Sequence, residues 1–150
     1  MRVAKQVIVM RKDLNMRKGK MIAQGAHASL KVFLDRRIGG AGADAAGASA
    51  PVSDPMAEPA VPVGDAFTFA VTEPMAAWLG GRFTKVCVGV GSAAELDDVV
   101  ARARAAGVPC ALIVDAGHTE FHGVPTPTCC AVGPAWAEDV DAITGALPLL

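Results

Sequence analysis

Residues 3–35, VAKQVIVMRKDLNMRKGKMIAQGAHASLKVFLD, decide the fold. The first eight (VAKQVIVM) are rich in β-branched side chains and are bounded by charge, the composition of a short buried strand. RKDLNMRKGK, residues 11–20, is a basic turn containing Gly19. From Lys20 to about Asp35 the spacing is helical. Ile22, Ala26, Leu30 and Phe33 form an apolar stripe, while Lys20, Gln24, His27 and Lys31 line up on another face.

A strand followed by a helix opens an α/β sheet, and the chain continues in that pattern. TEPMAAWLG at 72–80 predicts a short helix, with Thr72 as N-cap and Pro74 in the first turn. FTKVCVGV at 83–90 alternates as a strand. Ser92 to Glu95 is a capping box that opens a helix with the stripe Leu96, Val99, Val100 and Ala103 and with Gly107 as its stop. CALIV at 110–114 is a short apolar strand running into Asp115, and TCCAVG at 128–133 is a fourth strand. Pro134 is expected to start a last helix through Trp136, Val140 and Ile143. The order predicts a single α/β domain over residues 1–150, a three-layer sandwich. Its four-stranded sheet is expected to be mixed but mainly parallel, with helices on both faces. Residues 39–66 interrupt the pattern: 18 of the 28 are Gly, Ala or Pro, and four prolines stand within twelve positions. That composition buries too little apolar surface to offset its ordering entropy, so the segment reads as a flexible surface insertion, one whose closure costs little.

Bulk numbers narrow the class. A chain of 150 residues, 52% hydrophobic and 19% charged, has the size and composition of one folded domain. No apolar stretch approaches the ~18–20 residues of a spanning helix, and the charged opening does not read as a signal peptide. Cys87, Cys110, Cys129 and Cys130 lack metal-ligand spacing and read as reduced thiols of a cytoplasmic protein. The net charge of −1 conceals a split: residues 1–37 carry ten basic and two acidic side chains, and the other 113 carry four basic and thirteen acidic. Such asymmetry points either to a polyanionic partner or to a merely solvated basic face.

Two polar clusters fall at expected carboxyl ends of strands, where ligands gather in open α/β sheets. Lys18, Gly19 and Lys20 stand at a helix start, which is either an anion site or a plain basic turn. The spacing of a Walker loop is absent. DAGHTE at 115–120 forms the second cluster, followed by Thr126 and Thr128. Asp115 either caps the turn at Gly117 or orients a water or a lysine, with the Thr119 and Thr128 hydroxyls completing a hydrogen-bond network. His27 is either a base or a satisfied structural histidine. His118 and His122 lie on the loop near Asp115, where either can contact substrate. No serine nucleophile motif is present.

In combination these motifs resemble the archaeal- and eukaryotic-type (class II) peptidyl-tRNA hydrolases. KQVIVMRKDLNMRKGKMIAQGAHASL at 5–30 is similar to that family's opening strand, basic turn and helix. Trp78, Lys85-Val86, the Ser92 capping box, VDAGHTE at 114–120, TPTCCAVGP at 126–134 and the closing DAITGALPLL follow in the family's order. The resemblance covers about 1–38 and 72–150. It implies hydrolysis of the ester joining a peptide to the 3′ ribose of tRNA, with no metal or organic cofactor, commonly by a homodimer. It places the family's catalytic lysine on Lys20, its acid on Asp115 and its two hydroxyls on Thr119 and Thr128. Arg11, Lys12, Arg17 and Lys18 are then expected to hold the acceptor end of tRNA beside Lys20, with Gln24, His27 and His118 as further substrate contacts. Family members usually carry Arg and Gln where this chain has His118 and Glu120, an exchange that should weaken phosphate contacts. It motivates an alternative, a catalytically weak or inactive relative that binds tRNA or protein. A nucleotide-binding α/β protein is a third reading, without a glycine-rich phosphate fingerprint to support it.

Overall fold

A computed structural model describes residues 1–38, 66 and 68–150. The insertion expected at 39–66 therefore lies almost wholly outside the described residues. In chain order the elements are β1 (Ala4–Arg11), α1 (Lys18–Leu34), β2 (Arg37–Ile38), β3 (Thr68–Phe69), α2 (Glu73–Leu79), β4 (Lys85–Val90), α3 (Ala93–Ala105), β5 (Cys110–Asp115), β6 (Thr126–Trp136) and α4 (Ala137–Thr144). β2 and β3 form a small antiparallel pair, and the main sheet has the order β4-β1-β6-β5.

The sheet is mixed, as expected, but its neighbours are mainly antiparallel. β1 and β4 pair in parallel, whereas β1–β6 and β5–β6 pair antiparallel. The helical crossovers do make β1, β4 and β5 run in one direction. β6, returning from β5 without a helix, inserts between β1 and β5 in the opposite sense and converts two potential parallel contacts into antiparallel ones. β6 is also longer than TCCAVG. Pro134 does not start the last helix but lies buried inside the strand, at an irregularity where Lys5 pairs with Ala135 and Val7 with Val132. Such an irregularity tolerates a residue without an N–H, so the helix begins only at Ala137.

Two cores cover the two faces. On one, Val7, Val9, Val88, Val90, Cys130 and Val132 pack against Leu96, Val99, Val100 and Ala103 of α3 and Val140 and Ile143 of α4. On the other, Ile8, Met10, Ala111, Cys129 and Ala131 pack against Ala28, Val32 and Phe33 of α1 and Met75 and Trp78 of α2. These are the three layers. The capping residues act as the sequence indicates: Thr72 Oγ1 accepts from the N–H of Met75, and Ser92 Oγ from that of Glu95. Glu95 accepts in turn from the N–H of Gly91.

α1 is turned relative to its expected stripe. Of Ile22, Ala26, Leu30 and Phe33, only Phe33 is buried; the residues withdrawn from water are Gln24, Ala28, Val32 and Phe33. The outward Ile22 and Leu30 instead line an open apolar cleft of about 1050 Å³, together with exposed Val71, Leu79, Phe83 and Leu150. The rotation has a tertiary cause. It carries Gln24, a polar residue, onto the sheet at a place where it finds polar partners.

Candidate active site

α1 delivers Lys20 and Gln24, one turn apart, onto the ends of β5 and β6. Lys20 Nζ donates to Asp115 Oδ1 at 2.6 Å and to Thr119 Oγ1 at 2.8 Å. The two charged side chains are only 14% and 13% exposed, so their attraction acts in a medium far less screening than water. Lys20 Nζ also lies 5.7 Å from the ring centroid of half-buried Phe121, within cation–π range.

Beneath this pair runs a polar chain into the core. Gln24 Nε2 donates to the same Asp115 Oδ1 at 3.2 Å, and Gln24 Oε1 accepts from Thr128 Oγ1 at 2.5 Å. Gln24 is 3% exposed and Thr128 fully buried, so each needs these bonds to offset its desolvation. The second Asp115 oxygen accepts from the N–H of Gly117 at 2.9 Å. The two readings of Asp115 are thus both realised: Oδ2 caps the turn while Oδ1 holds the lysine. Burial works to raise the Asp115 pKa. The hydrogen bonds from Lys20, Gly117 and Gln24 and the lysine charge outweigh it, leaving the carboxyl below its ordinary value.

Gly117 lets the chain turn at this point. Its φ is +86°, and an added Cβ would stand 2.5 Å from Val124 O and 2.6 Å from Val124 N. The N–H of Gly123 donates to Gly117 O at 2.8 Å, closing the loop that carries His118, Thr119, Glu120 and Phe121.

The expected tRNA contacts divide. Arg17 Nε pairs with Glu120 Oε1 at 2.7 Å, tying the helix start to the same loop. Arg11 binds the Asp13 carboxylate through Nε and Nη2 and the carbonyl of Pro127 through Nη1, which fixes the turn against β6. The Lys12 stem lies along Gly89 of β4, and Lys18 lines the apolar cleft. His27 and His118 are exposed and take no part in the hydrogen-bond network around Asp115. Gln24 does take part, from below. The sequence gives no sign of the Phe121 contact or of the Arg17–Glu120 pair, because both depend on how the loop folds back. Among the described residues no group of three or more His, Cys, Asp or Glu could hold a metal ion, and no helix is long and apolar enough to cross a membrane.

A three-layer α/β domain with a shielded lysine–carboxylate pair under a basic helix start is the class that fold and site define. The sequence profile described as Peptidyl-tRNA hydrolase PTH2 matches residues 4–150, and the chain belongs to that family. It is 39% identical to the peptidyl-tRNA hydrolase of Methanocaldococcus jannaschii, over 97% of this chain and 99% of the relative. Identity to the peptidyl-tRNA hydrolase of Halobacterium salinarum is 36%, over 97% and 98%, and to that of Methanopyrus kandleri 34%, over 97% of each. A solved structure of a protein of unknown function from Agrobacterium tumefaciens shares the fold, with a TM-score of 0.52 at 12% identity, over 100% of this chain and 99% of that one.

Proposed function

We propose that the protein hydrolyses peptidyl-tRNA, cleaving the ester between the peptide carboxyl and the 3′ ribose oxygen and so recycling tRNA. Family membership supports the reaction, and the Lys20–Asp115 contact at 2.6 Å is the observation that carries the site. In the reaction water adds to the ester carbonyl, the bond to the ribose oxygen breaks, and the proton that the water loses ends on that oxygen as the 3′ hydroxyl. Negative charge develops first on the carbonyl oxygen and then on the leaving oxygen. The Lys20 ammonium, oriented by Asp115 and Thr119, is the group that stabilises it, in a site where no reorganisation is needed. Thr119, exposed and already bonded to Lys20, is the hydroxyl that meets the attacking water or the carbonyl. Both Asp115 oxygens are already engaged, Oδ1 by Lys20 and Gln24 and Oδ2 by the N–H of Gly117, so its role is to hold Lys20 in place rather than to store a proton. Thr128 acts through Gln24, as a positioning residue. The test is release of free tRNA from N-acetylated aminoacyl-tRNA by the purified protein.

The substrate reading places the protein in the cytoplasm, in translation, with the acceptor end of tRNA against the start of α1. There Lys18 and Lys20 flank a helix terminus that has no side-chain cap and no acidic residue in its first turn. The apolar cleft between α1 and α2 supports a homodimer. Ile22 is 74% and Leu30 57% exposed on it, and contiguous apolar surface of this kind in a cytoplasmic protein is ordinarily covered by a partner.

A further inference from the structure

The Arg17–Glu120 pair takes no part in the chemistry described above, yet it stands at its edge. Glu120 follows Thr119, whose hydroxyl accepts from Lys20, and Arg17 immediately precedes α1. The two side chains differ sharply: Arg17 is 80% exposed and Glu120 13%. A carboxylate so far withdrawn from water beside a site for a polyanion needs a cation to compensate it, and Arg17 is that cation. Arg17 uses Nε alone. Its Nη1 and Nη2 find no partner among the described residues, in contrast to Arg11, whose three nitrogens are all engaged. Planar guanidinium donors pointing to solvent at an uncapped helix start suit a phosphate, while the Glu120 carboxylate on Nε offsets the charge that would attract it.

We infer that Glu120 sets the affinity of the site for tRNA, its carboxylate competing with a backbone phosphate for Arg17. The inference rests on the peptidyl-tRNA reading. A phosphate meets the free Nη donors while Glu120 keeps Nε, so in the natural protein it meets a guanidinium whose charge is already neutralised. Substrate and product tRNA carry the same phosphates, so Glu120 weakens the binding of both alike.

Glu120→Gln preserves shape and removes the competing charge. The KM for N-acetylated aminoacyl-tRNA and the Kd for uncharged tRNA should both fall by about two- to five-fold, the range of an exposed ion pair. The slope of log Kd against log salt should steepen by about 0.7–0.9, one phosphate contact's worth. Arg17→Met should weaken tRNA binding more in the Glu120→Gln background than in the natural one. Unchanged or weaker tRNA binding by Glu120→Gln, or an unaltered salt slope, overturns the inference, as does strict additivity of the two substitutions. A Glu120 that merely braces the loop would, when replaced, weaken binding and leave the slope as it is. Binding of uncharged tRNA reads Glu120 independently of turnover. If neither protein hydrolyses the substrate, the proposed activity fails while the binding arm still decides the role of Glu120.

Discussion

The Lys20 ammonium stands 2.6 Å from Asp115 Oδ1, and both side chains are nearly nine-tenths removed from solvent. A pair so placed is stable only because each partner has further bonds: Thr119 for the lysine, Gln24 and the Gly117 N–H for the carboxylate. Removing one partner strands the other.

The pH dependence of stability follows from that arrangement. The folded Asp115 pKa lies below the ordinary ~3.9 of an unfolded chain, so the unfolded state takes up the proton first. The contribution is complete above about pH 4 and is lost as pH falls through the folded value. Asp115→Asn should therefore be less stable than the natural protein at pH 7 by about 1–3 kcal/mol. Urea unfolding at stepped pH should show the gap closing below about pH 4. A gap that is constant down to acid pH would contradict the ion pair.

Gln24 and Thr128 form a second testable unit. Gln24→Leu removes both bonds of the bridge and should lower kcat by about ten- to a hundred-fold while leaving KM within about two-fold. Thr128→Val should lower kcat less. Combining the two should cost no more than Gln24→Leu alone, because Thr128 acts only through Gln24. If the Thr128→Val effect persists undiminished in the Gln24→Leu background, Thr128 touches substrate or water itself.

Gly117→Ala tests the loop. With φ at +86° and Val124 backbone atoms 2.5–2.6 Å from the new Cβ, the turn cannot keep its geometry. Chemical denaturation should show a loss of about 1–3 kcal/mol, and hydrolysis should fall with it because Asp115 and Thr119 flank the turn. Natural stability and activity would mean that the turn is not held as described.

The apolar cleft predicts association. Leu30→Glu, on the outward face of α1, should shift the protein from dimer to monomer in sedimentation or scattering measurements. A natural protein that is monomeric at tens of micromolar would show that the cleft does not mediate a dimer.

Much of this was legible in the chain. The β1 run, the Thr72 and Ser92 caps and the Asp115 loop are local signals, written in side chains that act within a few residues of themselves. What could not be read depends on partners far away in sequence. Periodicity showed that α1 has two faces but not that Ile22 and Leu30 turn outward, because Gln24 goes inward only once Asp115 and Thr128 are there to receive it. The direction of β6 likewise follows from insertion between β1 and β5, which no stretch of β6 itself encodes. In the site, Lys20, Asp115 and Thr119 converge on one another, whereas His27 and His118 stand apart from the network and Arg17 is held by Glu120.

The most direct measurement is the rate of tRNA release from N-acetylated aminoacyl-tRNA by the natural protein, Lys20→Ala and Asp115→Asn. The natural protein should turn over, and kcat should fall by about a hundred-fold or more in each variant, at unchanged fold by circular dichroism. Hydrolysis by both variants at the natural rate would contradict the roles given to Lys20 and Asp115.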